Sequence, residues 1–127
     1  MQPLLSFLIS HLSRRMEKEL LLLERVELKF ALADSLQALS PLLKSFLAPV
    51  VLKLDSPHPA VKQKVLKICS HVNARVKSND CALPVTEMVA LFQSGCGHAA
   101  KSFALIYIEM GIFRLPFLVT LCNAGGR

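Results

Sequence analysis

The stretch LDSPHPAVKQKVLKICSHVNARVKS, Leu54 to Ser78, ends one apolar run, turns on Pro57 and Pro59, and opens a second. In the second run Val61, Val65, Ile68, Cys69, Val72 and Val76 recur at three and four. On a helical wheel they fall within roughly a third of a turn, which predicts one packed face. Ser56 or His58 sits near the cap of this helix, and the polar cluster Ser78–Asp80 predicts its end. Before the turn, Leu39, Leu42, Leu43, Phe46, Leu47, Val50, Val51 and Leu54 form a wide helical stripe. Pro49 lies within that stripe and predicts a bend, since it removes one hydrogen bond. Two apolar helices around a short proline turn make a hairpin.

Further out, the periodicity stays helical, and no segment alternates with period two. A first helical region is predicted from about Leu4 to Leu32, broken near Ser13. Its acids Glu17, Glu19, Glu24 and Glu27 sit among Lys18, Arg25 and Lys29, which predicts a solvated face with i,i+4 pairing. Asp34 and Ser40 are both N-cap candidates for the next helix, Ser40 with Pro41 at the favoured first position. Past the hairpin, a short helix is predicted over about Val85 to Phe92, then a flexible Gln93–Gly97 link. A further helix spans about His98 to Met110, stopped by Gly111 in the left-handed conformation. Leu115 and Pro116 open another apolar stretch.

The totals sharpen the problem. The chain has 127 residues, 53% of them hydrophobic and 19% charged, with a mean hydropathy of +0.46. That is greasy for a free-standing domain. A transmembrane span does not account for it, because the most lipid-like segment, Phe103 to Cys122, carries Glu109, Arg114 and Pro116. The apolar patch Leu4 to Ile9 has no basic residue before it and no small-residue cleavage site, so it reads better as an amphipathic helix than as a signal peptide. Arg14 and Arg15, with no acid before Glu17, also admit a transit-peptide reading. Cys69, Cys81, Cys96 and Cys122 form no C-x-x-C pair and fit a reducing compartment, with Cys69 a buried helix residue. Hairpins with apolar faces toward their own partner and toward the next hairpin explain the excess: stacking completes their burial. An all-α, HEAT-like set of antiparallel hairpins, a short α-solenoid segment, is the expected fold. Its uncovered ends offer a route to self-association.

Catalytic apparatus is not evident. His11, His58, His71 and His98 are far apart, without H-E-x-x-H or zinc-finger spacing. Cys96 and His98 lie two apart with no orienting acid nearby in sequence. Neither a P-loop nor a dinucleotide fingerprint is present. We therefore expect no enzyme, no cofactor, no metal and no small-molecule substrate. The net charge of +6 raises acidic partners. Lys64, Lys67, His71 and Arg75, spaced three, four and four, predict one ridge beside the packed face. The ridge reads as solvated charge or as a contact for an acidic protein surface. Nucleic acid is the weaker partner, because no aromatic interleaves with the ridge. The rival readings are a basic nucleic-acid-binding helical module and a small membrane-associated protein.

The segment LLKSFLAPVVLKLDSPHPAVKQKVLKI resembles a HEAT repeat: Pro49 inside the first helix, Asp55 and Pro57 in the turn, Val61-Lys62 and Val65-Leu66 opening the second. Over a longer span, LERVELKFALAD, FLAPVVLKL, AVKQKVLKICSHVNARVKS, LPVTEMVALF and FALIYIEMGIFRLP follow in order. Together they resemble the N-terminal region of the proteasome-associated HEAT-repeat adaptor and scaffold family. The resemblance implies a non-enzymatic scaffold that binds proteasome subunits and links core and regulatory particles. It implies a cytoplasmic and nuclear location, with peripheral attachment to endoplasmic reticulum or endosomes. It divides the chain into a divergent N-terminal helix (1–22), HEAT-like repeats (23–116) and a divergent tail (117–127). Family members are very large, and residue-level binding motifs do not carry over to this region.

Overall fold

The computed structural model describes residues 2–76 and 82–113. Within them the chain is all-α: α1 Gln2–Leu32, α2 Leu36–Leu52, α3 Pro59–Val76, α4 Val85–Gln93 and α5 His98–Phe113. A 3-10 turn, Lys53–Asp55, links α2 to α3. The predicted end of α3 at Ser78–Asp80, the stretch from Leu115 and the tail 117–127 lie outside the described residues. Short links join α1 to α2, α2 to α3 and α4 to α5, and each of these pairs packs together as a hairpin. Helix α2 is central: it packs on α1 and α3, and on α4 and α5 as well.

The α2 stripe folds as its spacing dictates. Leu39, Leu43, Leu47, Val50 and Val51 are buried, as is Leu54 in the turn, with Leu42 and Phe46 packed at the edge of the core. Its cap is neither Asp34 nor Ser40. Ser35, in an extended conformation, accepts the Ala38 N–H at 3.1 Å, and Pro41 and Pro49 both lie inside the helix. Asp34 and Ser35 are adjacent residues of equal capping chemistry, and local propensity does not separate them. Six residues of α3 are buried, and they are the six of the predicted face: Val61, Val65, Ile68, Cys69, Val72 and Val76.

Two boundaries differ from expectation. Helix α1 runs unbroken through Ser13. Helix α5 runs through Gly111 to Phe113, and Gly111 does not have a positive φ. The reason is packing: a Cβ on Gly111 would collide with Val85 Cγ2 of α4. The glycine is a close-approach residue there, not a helix stop. The residue in the left-handed region is Gly95 (φ 83°), in the link between α4 and α5. Helices α4 and α5 make the most extensive helix pair, helped by Ala100 and Ala104, both fully buried on α5.

Candidate partner-binding surface

The ridge Lys64–Lys67–His71–Arg75 lies along α3, but its members have different surroundings. Lys64 Nζ is 2.7 Å from Glu27 Oε1 on α1, with both side chains about four-fifths covered (18% and 22% exposed). The other oxygen, Glu27 Oε2, is buried without a hydrogen-bond partner. Arg75 reaches the end of α1, where its guanidinium donates to the Phe30 carbonyl at 2.6 Å and to the Ala33 carbonyl. The Phe30 carbonyl also accepts the Ala33 N–H at 3.3 Å in the last turn of α1, and a cation at this end suits the helix dipole. Lys67 and His71 are exposed, with Lys62 exposed on the same helix. Two of the four ridge residues thus serve α1, and two face solvent.

The acids of α1 divide in the same way. Glu17 and Glu24 are exposed, as a solvated face requires. Glu19 and Glu27 instead point at the hairpin. Glu19 Oε2 accepts from the Ser56 hydroxyl at 2.9 Å, and Lys53 Nζ lies 3.9 Å from Glu19 Oε1. The expectation of local i,i+4 pairing fails for these two because their partners lie across the tertiary contact. Their positions carried a signal: on a 100° wheel Glu19 falls between Val26 and Phe30, and Glu27 falls about 20° from Leu20, all on the covered stripe. Lys29 likewise lies over the Phe46 ring of α2, 4.6 Å from its centroid.

The proline turn is held from both sides. Ser56, 6% exposed, is tied to α1 through Glu19 and accepts the His58 N–H at 3.3 Å. Asp55 Oδ2 accepts the Gly97 N–H at 2.8 Å, just before α5. On the far side of α3, the Tyr107 hydroxyl donates to Asn73 Oδ1 at 2.8 Å beside the buried Cys69 thiol. Burial pushes the Cys69 thiol up from 9.0 to about 11, the Tyr107 hydrogen bond opposing the shift. It pushes the Tyr107 hydroxyl up as well, with the Cys69 charge adding to the effect. Such groups are protonated and inert at neutral pH.

Between α1, the start of α2 and α3 lies a groove of about 510 Å3 lined by Phe30, Ala33, Leu39, Ile68 and Val72, with His71 and Arg75. Among the described residues no His, Cys, Asp and Glu cluster could hold a metal ion, and no helix is long and apolar enough to cross a membrane. Cys96 Sγ contacts the Leu91 carbonyl at 3.3 Å, a position within the α4–α5 link. The arrangement offers surfaces and grooves between helices.

Residues 23–118 match the family described as "Proteasome component ECM29, N-terminal". The chain is 40% identical over 101 residues to "Proteasome component ecm29" of Schizosaccharomyces pombe, which is 79% of this chain and 6% of that protein. It is 36% identical over 102 residues to "Proteasome adapter and scaffold protein ECM29" of Homo sapiens, again 79% and 6%. It is 37% identical over 99 residues to the Drosophila melanogaster "Proteasome-associated protein ECM29 homolog", 76% and 5%. No solved structure matches. The chain thus spans about one-seventeenth of the length of these relatives, and the matched region runs from Leu23 in α1 through α5. On that match, and with the helical hairpins the sequence anticipates, the chain belongs to the ECM29 proteasome-component family, at its N-terminal region.

Proposed function

We propose that this chain is a non-enzymatic proteasome-binding module whose HEAT-like hairpins form the first turns of an α-solenoid and act through their surfaces. The observation that carries the reading is the family match, which covers α2–α5 and α1 from Leu23 onward. The human relative is named an adapter and scaffold. Linking core and regulatory particles is the role of a far longer molecule, so this segment's share is a docking surface. That surface is Lys67 and His71 on the solvent side of α3, facing an acidic patch of a proteasome subunit. Lys64 and Arg75 hold the helix behind it. The setting is cytoplasmic and nuclear, with peripheral membrane association belonging to the longer assembly.

Affinity capture from cell extract, with the tagged chain as bait, tests this. Intact proteasomes should be retained. Lys67→Glu with His71→Glu should reduce the yield at least severalfold while the melt stays unchanged, because both sites are exposed. Absence of proteasome from the retained fraction rejects the reading. Retention indifferent to the charge reversal rejects the α3 surface and keeps the module.

A further inference from the structure

We infer that the groove between α1 and α3 is the anchor pocket of the α3 docking surface. It takes a large apolar side chain from the same proteasome segment whose acid faces Lys67 and His71. The inference rests on the proteasome-binding reading above and names the chemistry of the segment that docks. The groove has the make-up of an interface centre, apolar inside and charged at the rim. Its walls include Phe30, Leu39, Ile68 and Val72. Ala31 of α1 and Ala74 of α3 also line it, and both are exposed. Their short side chains leave the mouth open on either bank.

Charge selects the occupant. The inner charged groups already serve the fold: Glu27 Oε1 holds Lys64 Nζ at 2.7 Å, and Arg75 grips the Phe30 and Ala33 carbonyls. Glu27 Oε2 lacks a donor but is buried, so it is closed to a partner. The exposed charges stand on the two banks. On the α3 bank His71 lines the groove, and exposed Lys67 lies about two turns before Ala74 on nearly the same line of the cylinder. On the α1 bank Asp34 lines the groove, and exposed Glu24 lies about two turns before Ala31, again on nearly the same line. One bank is basic and the other acidic. The complementary segment therefore carries a side chain the size of leucine or larger, an acid toward α3 and a base toward α1. A uniformly acidic segment would meet repulsion from Glu24 and Asp34. Nucleic acid, with a phosphate at every step, meets the same repulsion.

Proteasome capture by the tagged full chain reads the groove separately from the α3 charges. Ala31→Trp and Ala74→Trp fill the mouth from either bank without altering a charge. Each should lower the proteasome yield at least about fivefold. Ala90→Trp, exposed on α4 and outside the groove, should leave it unchanged. Glu24→Lys with Asp34→Lys should lower it severalfold, because the acidic bank is then reversed. Thermal melts check that each variant folds. Where a tryptophan lowers the melting temperature by more than about 4 °C, methionine at the same position takes its place. Capture that survives both tryptophans while Lys67→Glu with His71→Glu abolishes it overturns the anchor and keeps the α3 surface. Indifference to the reversal of Glu24 and Asp34 overturns the two-bank partner. A wild-type chain that retains no proteasome rejects the proteasome-binding reading, and the anchor with it. Sedimentation equilibrium supplies the remaining arm: a dimer that either tryptophan dissociates puts a second copy in the groove and overturns the assignment.

Discussion

Arg75 closes α1 from another helix. Its two-carbonyl grip on Phe30 and Ala33 needs the planar fork of a guanidinium, which an ammonium lacks. Arg75→Ala should therefore cost about 1–3 kcal/mol in denaturant unfolding, and Arg75→Lys should recover only part of it. Lys67→Ala, exposed about two turns earlier on the same ridge, should stay within about 0.5 kcal/mol. Equal losses for Arg75→Ala and Lys67→Ala would mean the grip contributes nothing. Cys69 and Tyr107 give a pH signature. Both hold their protons more tightly folded than unfolded. The stability they contribute is complete below the unfolded thiol value of 9.0 and is lost as pH rises toward the folded value of about 11. The loss should be on the order of 1–3 kcal/mol by pH 11, read as a falling melting temperature. Cys69→Ala should flatten the decline without abolishing it, since Tyr107 remains. A melt independent of pH from 9 to 11 would contradict the burial of this pair.

At the scale of elements, the close packing of α4 against α5 turns on Gly111. A methyl there meets Val85, so Gly111→Ala should destabilise by about 1–3 kcal/mol despite alanine's better helix propensity. Val85→Ala in the same chain should relieve most of that cost. A neutral or stabilising Gly111→Ala would contradict the close approach of α5 to Val85. The contrast shows what periodicity can read. The faces of α2 and α3 were legible because apolar spacing reports which side of a helix is covered, whatever covers it. Gly111 was not, because a glycine near a helix end and a glycine at a crossing look alike until the neighbouring helix is placed. Lys64 and Arg75 belong to the same class: their ridge is visible in the spacing, but whether a cation meets solvent, Glu27 or a carbonyl depends on where α1 lies. Glu19 and Glu27 stood on the apolar stripe of α1. Their place there outweighs the general expectation that glutamates among lysines are solvated.

For the whole molecule, the decisive asymmetry is within α1. Its second half belongs to the core through Leu23 and Phe30, while the first half, Pro3 to Arg15, is exposed throughout. An isolated helix of that length is marginal in water, so it adds little to the folding free energy of the hairpins. Removing residues 2–15 should leave the melting temperature of the body within about 2 °C. The helical signal should fall by no more than the share of residues removed. A drop beyond about 4 °C would show that the segment packs on its own chain. An unchanged melt is the expected outcome. It would separate the two apolar surfaces that the composition blends into one number: a stripe that stabilises the fold, and its continuation along α1 that the body leaves uncovered.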